Sequence, residues 1–316
     1  MRVAVAQLNS NDELLNNYKV VEALCLEAVA NKAKLILFPE NSLFFRLRNE
    51  DLMSYVSVHK DENIKKLQDF SVTHQIAIHL TTAIVDDDKV SNILATNEVV
   101  SNDTLSKLGK VSTNIGDLVG GTLDISNQGK LTLDNTQKYN ASILIDPVHG
   151  LSVVYKKIHL FDIELAGQKA IRESDSFAHG LWPSVWSYEG LLFGSSICYD
   201  VRFAELYSKY AKQEVDVIVV PSAFLVPTGR AHWEPLLRAR AIESQAYVLA
   251  PAQCGLHQSK HHEGARETYG HSMIIDPWGE ILSLKESGVG LIYADLNTER
   301  VRSVRKQIPM KNHRKL

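Results

Sequence analysis

The chain has 316 residues, of which 45% are hydrophobic and 22% are charged, values typical of a globular protein in water. Its formal net charge of −3 argues against a surface adapted to nucleic acid or anionic membranes. Three cysteines cannot form a disulfide framework and indicate a reducing compartment. The first residues lack the apolar core of a signal peptide, and no run of about 18 apolar residues occurs. We therefore expect a cytoplasmic protein with no membrane or nucleic-acid partner.

Short apolar strands alternate with amphipathic helices in the first half of the chain. Strands are predicted where apolar residues run together, and helices where they recur every three or four positions. The predicted strands cover residues 3–6, 35–38 and 76–80, the helices cover 12–33 and 63–73, and a hairpin covers 142–155. Residues 97–138 are instead rich in Asn, Ser, Thr, Gly and Asp. Irregular stretches of that length are unusual inside a domain, so we interpret this one as a surface insertion.

The second half of the chain continues the same alternation. The predicted strands cover residues 192–197, 217–220, 247–250 and 291–294. One predicted helix follows the first of these strands and ends at about residue 212, and two others cover 232–246 and 299–307. A hairpin is predicted over 272–284. Strands interleaved with helices predict an α/β fold in which helices cover a mixed sheet system. We expect a single domain over residues 1–316.

One cysteine lies at a predicted strand-to-helix turn, within SSICYDVRFAEL, residues 195–206. At a helix N-terminus the backbone dipole favours the thiolate, which is the reactive form of cysteine. Most cysteines are small core residues instead. Cys198 therefore indicates a nucleophile only if a base and a cation lie at the same edge of the fold.

Two other predicted strand ends carry ionisable groups suited to those roles. Glu40 follows an apolar strand and a proline in LILFPEN, where apolar surroundings raise a carboxyl pKa and suit it to proton transfer. In VVYKKIHLFD, Lys156 and Lys157 point to opposite faces of an extended chain, so only one of them can enter a site. Each signal alone is weak, and a solvated side chain after a strand explains Glu40 by itself better than catalysis does. Together, these groups can converge on one edge of an α/β sheet.

The three stretches, in this order, resemble the motifs of the nitrilase (carbon–nitrogen hydrolase) superfamily, which uses a Glu-Lys-Cys triad and a second glutamate. LILFPEN resembles the glutamate motif, YKKIHLFD the lysine motif and SSICYDVRFAEL the cysteine motif. The resemblance implies that Glu40, Lys157 and Cys198 are catalytic and that Glu173, in IRESDSF, is the second glutamate. It covers nearly the whole chain apart from residues 97–138 and implies the four-layer α-β-β-α sandwich of that superfamily.

The resemblance also implies a reaction, the hydrolysis of a non-peptide amide through a thioester on Cys198. Glu40 would act as the general base, and Lys157 with the backbone N–H of Tyr199 would stabilise the oxyanion. Glu173 would hold Lys157 and the entering water. The resemblance implies neither a metal ion nor an organic cofactor.

The expected partner is a small carboxylated amide. The stretches PSAFLVPTGRAHWEPLLRARAIESQAYVLAPAQCG and YGHSMIIDPWGE resemble the branch that contains deaminated glutathione amidase and omega-amidase. Deaminated glutathione is the first substrate that this implies, and 2-oxoglutaramate is the alternative. Ala204, where the family commonly has proline, and the insertion bear on the substrate more than on the chemistry. The candidate substrate-binding residues are Tyr199, Phe224, Thr228 and His232.

Three other features receive structural interpretations. The cysteine and histidines of CGLHQSKHHE lack the spacing of a zinc site, so residues 254–262 are predicted to form a polar loop over the site. Arg202 and Glu205 are spaced for a helical ion pair. The basic stretch RVRSVRKQIPMKNHRKL has no interleaved aromatic residues, which favours a solvated face or a subunit contact in a homodimer or larger assembly. A catalytically idle, partner-binding protein is the non-enzyme alternative.

Overall fold

The computed structural model describes residues 1–48, 61–85, 137–164 and 171–315. Within these ranges the strands follow the order of the chain. They are β1 Arg2–Leu8, β2 Leu35–Leu37, β3 Ala77–Val85, β4 Lys138–Asp146, β5 Gly150–Lys156, β6 Asp162–Ile163, β7 Ile171–Arg172, β8 Val185–Tyr188, β9 Leu191–Ser195, β10 Val217–Val219, β11 Tyr247–Ala250, β12 Ala252–Gln258, β13 Ala265–Tyr269, β14 Ser272–Ile275, β15 Ile281–Lys285 and β16 Gly290–Asp295.

Helices occupy the connections between many of these strands. They are α1 Leu14–Ala30, α2 Glu62–His74, α3 Ala204–Lys212, α4 Val226–Ser244, α5 Thr298–Gln307 and α6 Met310–His313. Local chemistry sets several of their ends. The Asp61 side chain accepts the Asn63 and Ile64 N–H groups at the start of α2. Asn297 caps α5 by accepting the Glu299 N–H, and α4 carries a proline in its first turn.

Two large sheets form the centre of the described structure. The eight-stranded sheet has the order β13-β12-β1-β2-β3-β4-β5, with β16 also paired to β1. The six-stranded sheet has the order β15-β14-β11-β10-β9-β8, and β6 pairs with β7 in a small separate sheet. The chain passes from the second large sheet to the first at Pro251, between β11 and β12.

The two large sheets are buried on both faces, which explains their continuous apolar runs. In β1, Val3 and Val5 face the other sheet, whereas alternate residues such as Ala4 pack under α1 and α2. In β10, Val219 faces the first sheet and Ile218 packs under α3 and α4. The result is helices, sheet, sheet and helices in four layers, the α-β-β-α sandwich that the resemblance implies.

The second half of the chain differs from its prediction in two places. Residues 254–262 are not one polar loop, because β12 extends to Gln258 and pairs with β13 in an antiparallel hairpin. Helix α4 begins at Val226 rather than 232, because a proline fits the first helical turn. The predicted insertion 97–138 lies outside the described residues except for its last two, and Lys138 begins β4. Along the described stretches, no helix has both the length and the apolar character that crossing a bilayer demands.

Candidate active site

Chemistry-bearing residues collect where strands of both large sheets end. Glu40 follows β2 and Lys157 follows β5, and these two strands point in the same direction in one sheet. Cys198 follows β9 of the other sheet, and Glu173 lies in a short 3-10 helix after β7. Because the strand ends meet at one rim of the sandwich, side chains that are far apart in the sequence line a single cavity.

Lys157 is a buried ammonium between two carboxylates. Its Nζ donates to Glu40 Oε1 at 2.9 Å and to Glu173 Oε2 at 2.8 Å. Only 2% of the Lys157 residue is exposed, and Glu40 and Glu173 are also buried. Burial alone would lower the pKa of Lys157, but Glu173 and Glu40 outweigh it and hold that pKa well above its usual value. Lys157 is therefore a permanent cation in this cavity.

The two carboxylates are held by further donors. The Phe161 N–H donates to Glu173 Oε2 at 2.7 Å, and the Ala223 N–H donates to Glu40 Oε2 at 3.0 Å. Burial favours the neutral form of Glu173, yet the Lys157 ammonium and the hydrogen bonds from Asn140 and the Phe161 N–H lower its pKa below the usual value. Glu173 is thus ionised at neutral pH.

Asn140 joins the two carboxylates and was missed by the sequence analysis. Its side-chain Nδ2 donates to Glu40 Oε1 at 2.8 Å and to Glu173 Oε1 at 2.9 Å. It lies near the start of β4, which runs antiparallel to β5 and so begins at the rim where β5 ends. A lone asparagine within a strand has no distinctive sequence pattern, so no signal pointed to it.

Cys198 sits on a strained turn. Its backbone has a φ of 47°, in the left-handed region that few residues other than glycine adopt. The Cys198 N–H donates to the Pro221 carbonyl at 3.0 Å, which fixes the turn against the loop after β10. Burial and the Glu40 carboxylate raise the pKa of the Cys198 thiol well above its usual value, although Lys157 opposes them. The resting side chain is therefore a neutral thiol beside a carboxylate.

Asp200 links the cysteine turn to the lysine segment. Its Oδ2 accepts the Ile197 N–H at 2.9 Å and the Tyr155 hydroxyl at 2.8 Å. Its Oδ1 accepts the backbone N–H of His159 at 2.9 Å and contacts the ring Nδ1 of the same residue at 2.7 Å. His159 is thereby held away from the cavity, and the two sheets are joined by one fully buried carboxylate.

Most of the predicted site residues line this cavity. Besides the catalytic candidates, Tyr199, Phe224 and Thr228 line it, but His232 does not. His232 is exposed on α4 and contacts Arg202 Nη1 through its Nδ1 at 3.1 Å. The ion pair expected between Arg202 and Glu205 does not form, and Arg202 instead lines the cavity.

The β12–β13 hairpin supplies another cavity residue that the sequence analysis missed. Arg266 lies on β13 directly opposite His257 of β12 and lines the cavity. The sequence analysis predicted no strand over residues 265–269, where alternation places Arg266 on the half-buried face of β13. Among the described residues, no group of three or more His, Cys, Asp and Glu side chains has the arrangement of a metal site.

Comparison with known proteins gives consistent matches. The carbon–nitrogen hydrolase family profile matches residues 2–306. The "Probable hydrolase nit2" of Schizosaccharomyces pombe is 35% identical over 97% of this chain and 95% of its own length. The deaminated glutathione amidase of Rattus norvegicus is 44% identical over 58% of this chain, and that alignment spans 55% of the rat protein. The crystal structure of the C. elegans NitFhit protein superposes with a TM-score of 0.73 and 28% identity, over 99% of this chain and 65% of that chain.

The fold and the matches together define an enzyme that hydrolyses carbon–nitrogen bonds. This chain belongs to the carbon–nitrogen hydrolase family, within the nitrilase superfamily. The proteins that it resembles include a probable hydrolase and an amidase.

Proposed function

We propose that the protein is a cysteine-dependent amidase that cleaves a small carboxylated amide, with deaminated glutathione as its substrate, through a thioester. The observation that carries this proposal is the shared cavity of Glu40, Lys157 and Cys198, in which the ammonium contacts the carboxylate at 2.9 Å. A neutral thiol beside an ionisable carboxylate and a permanent cation meets the needs of nucleophilic catalysis.

The first half of the reaction forms the thioester. Glu40 takes the proton of the Cys198 thiol as the sulfur attacks the amide carbon, and the carbonyl oxygen becomes an oxyanion. Lys157 and the backbone N–H of Tyr199 stabilise that charge, and losing one such donor typically costs about 100–1000-fold in rate. Glu40 then gives its proton to the leaving amine or ammonia, and the acyl group remains on the sulfur.

The second half of the reaction releases the acid. Glu40 takes a proton from water, the resulting hydroxide adds to the thioester carbon, and the thiolate leaves and is reprotonated by Glu40. Glu173 and Asn140 do not reach the thiol in this scheme. They hold Lys157 and Glu40 through hydrogen bonds of 2.8 Å and 2.8 Å, so that the base and the cation keep their positions through both halves.

A small-amide panel with product detection tests this proposal. Wild type should release acid and amine from deaminated glutathione, and Cys198→Ala should release neither. Mass spectrometry of quenched reactions should find an acyl adduct on Cys198, and Glu40→Gln should slow its formation. Equal turnover by wild type and Cys198→Ala would overturn the nucleophile assignment. Turnover of 2-oxoglutaramate alone would favour the omega-amidase alternative, and no turnover of any amide would favour an idle partner-binding protein.

We also infer a reducing, cytoplasmic setting and a homo-oligomeric state. The three cysteines are free and buried, which supports a chain kept reduced, as the thiol chemistry requires. Light scattering on purified protein tests the assembly, and a monomer at micromolar concentration would contradict it.

A further inference from the structure

Gln253 is a fully buried glutamine at the junction of the two large sheets. It lies on β12, two residues after Pro251, where the chain passes from the six-stranded sheet to the eight-stranded one. A buried amide needs acceptors for its N–H groups and a donor for its oxygen, because each unpaired polar group is costly. The partners of Gln253 connect it to the proposed base, Glu40.

The Gln253 side chain holds the main chain at Glu40. Its Nε2 donates to the Glu40 carbonyl at 3.0 Å and to the Asn41 carbonyl at 3.4 Å. Ser10 fixes the orientation of this amide, because the Ser10 N–H donates to Gln253 Oε1 at 3.0 Å and an N–H can face only the oxygen. Nε2 also donates to Ser10 Oγ at 3.0 Å. The N–H groups of the amide are therefore directed at the turn that carries the base.

The turn after β2 depends on this support. The N–H groups of Phe38 and Ser42, on either side of it, donate to carbonyls of β3. Between them Asn41 has a φ of 60°, in the left-handed region that favours glycine. Such a residue keeps its conformation only where its surroundings hold it. The direction in which the Glu40 side chain leaves the main chain thus depends on the Gln253 amide.

The main chain of Gln253 holds the other side of the same contact. Its N–H donates to the Ser222 carbonyl at 2.9 Å. The next residue, Ala223, donates its N–H to Glu40 Oε2 at 3.0 Å. Ser222 follows β10 of the six-stranded sheet, whereas Gln253 belongs to the eight-stranded sheet. One residue therefore fixes both the main chain of the base and the donor that its carboxylate meets.

We propose, on the basis of the amidase function above, that Gln253 is a positioning residue for Glu40. It keeps the Glu40 carboxylate directed at the thiol in the first half of the reaction and at water in the second. Gln253 does not line the cavity, so it acts through Glu40 rather than on the substrate. A displacement of about 1 Å between reacting groups can cost about 100-fold in rate, and here it slows both halves.

Gln253→Met and Gln7→Met form a matched pair of variants. Methionine has nearly the shape of glutamine but lacks its hydrogen bonds. Gln7 is also fully buried, on β1, and its amide donates to the Gly288 carbonyl at 3.0 Å and accepts the Ser272 N–H at 2.9 Å. Those partners lie outside the turn that carries Glu40. Both substitutions should lower the urea midpoint of unfolding, but only Gln253→Met should act on catalysis.

Steady-state kinetics on deaminated glutathione give the first readout. Gln253→Met should lower kcat about 10–100-fold with KM changed by less than about 3-fold, whereas Gln7→Met should change kcat by less than about 3-fold. Gln253→Asn keeps an amide that is one methylene too short for the same acceptors. It should lie between wild type and Gln253→Met, and it decides the matter if Gln253→Met does not fold.

Competition between water and hydroxylamine for the thioester gives a readout that does not depend on the amount of folded enzyme. The substrate is the fastest panel amide without a keto group, because hydroxylamine condenses with ketones. The hydroxylamine nitrogen adds to the thioester carbon without a base, its surplus proton passes to the leaving thiolate, and a hydroxamic acid and the Cys198 thiol result. Water needs Glu40, and general bases contribute about 100–10,000-fold, so the ratio of hydroxamic acid to carboxylic acid should rise about 10-fold in Gln253→Met. It should not rise in Gln7→Met.

Three results would overturn the inference: an unchanged product ratio in both Gln253 variants, an equal loss of kcat in Gln7→Met, or a raised KM with kcat unchanged. The last would make Gln253 a determinant of substrate binding instead. In each case wild-type turnover that depends on Cys198 still supports the amidase. A wild type that cleaves no amide would contradict the proposed function itself, and this role with it, so the two failures are distinguishable.

Discussion

At the scale of single residues, Lys157 is the group on which the site's charge balance depends. The Glu40 and Glu173 side chains both contact this one buried ammonium. A buried ion pair adds little net stability, but removing one partner leaves uncompensated charge and costs about 3–5 kcal/mol. The role of this buried cluster is therefore to position the groups proposed for catalysis rather than to stabilise the fold.

Lys157→Met should therefore lose both activity and stability. Repulsion between Glu40 and Glu173 should lower the free energy of unfolding by about 3–5 kcal/mol. Loss of the oxyanion donor should lower kcat by at least about 100-fold. Urea unfolding and amide turnover measure the two effects. Lys156→Met is the control, because Lys156 contacts the Tyr139 ring at 4.1 Å and does not line the cavity. Equal effects of the two substitutions would contradict this prediction.

His79 is another buried ionisable residue, and no opposite charge among the described residues stabilises its protonated form. It lies on β3 and stacks on Trp186 of the opposite sheet at 6.1 Å. Both ring nitrogens are buried and have no hydrogen-bond partner among the described residues. Burial lowers its pKa to about 3.

This histidine should make the fold sensitive to acid. An unfolded histidine has a pKa of about 6.5, so between that value and 3 the unfolded chain binds a proton that the folded chain excludes. The free energy of unfolding therefore decreases as the pH falls through this window, and the contribution of His79 to that decrease is about 2 kcal/mol at pH 5. In urea unfolding, the difference in unfolding free energy between pH 7 and pH 5 should be smaller by that amount in His79→Leu. The exposed His313→Leu should not, and identical pH slopes in all three proteins would rule the explanation out.

At the scale of elements, the β12–β13 hairpin shapes the cavity through its contact with α4. Gly229 of α4 lies against Tyr269 of β13, and a Cβ atom at Gly229 would be 2.4 Å from the Tyr269 Cβ and Cγ. Helix and hairpin therefore pack at a distance that only glycine allows. Thr228 and Arg266 line the cavity from these two elements, so their separation depends on this contact.

Gly229→Ala should separate helix and hairpin. Alanine would gain about 1 kcal/mol in helix propensity, but the overlap with Tyr269 should cost about 1–3 kcal/mol and displace the cavity wall. We expect a lower unfolding free energy and a raised KM. The neighbouring exposed change Ala231→Gly should cost about 1 kcal/mol in propensity with KM unchanged. A more stable Gly229→Ala variant with unaltered KM would show that the contact is looser than described.

The elements also show why some parts of the site could be predicted from the sequence and others could not. Glu40, Lys157 and Cys198 each follow an apolar strand in a recognisable stretch, and the structure brings them into one cavity. Their roles stay predictions until activity is measured. Asn140 has no local pattern, and Arg266 lies on a strand that the sequence analysis did not predict. The position of each residue at the cavity comes from which strands pair across the sheet. The Arg202–Glu205 ion pair does not form because Arg202 ends the 3-10 turn of Cys198 and Phe203 is extended, so the two residues do not share one helix.

At the scale of the whole molecule, the proposed base and nucleophile belong to different sheets. Glu40 and Lys157 follow strands of the eight-stranded sheet, whereas Cys198 and Ala223 follow strands of the six-stranded one. The apolar faces of both sheets and the buried Asp200 bonds keep these groups together. Neither sheet alone contains the complete chemistry.

Catalytic turnover should consequently depend on the exact alignment of the two sheets, because each sheet contributes part of the reacting group set. A misplacement of about 1 Å between reacting groups can cost about 100-fold in rate, whereas far-ultraviolet ellipticity barely responds to such a slip. Turnover should be lost at a lower urea concentration than ellipticity, and Asp200→Asn should increase the difference between the two concentrations. Coincident loss of both signals would mean that the layers separate only when the entire protein melts.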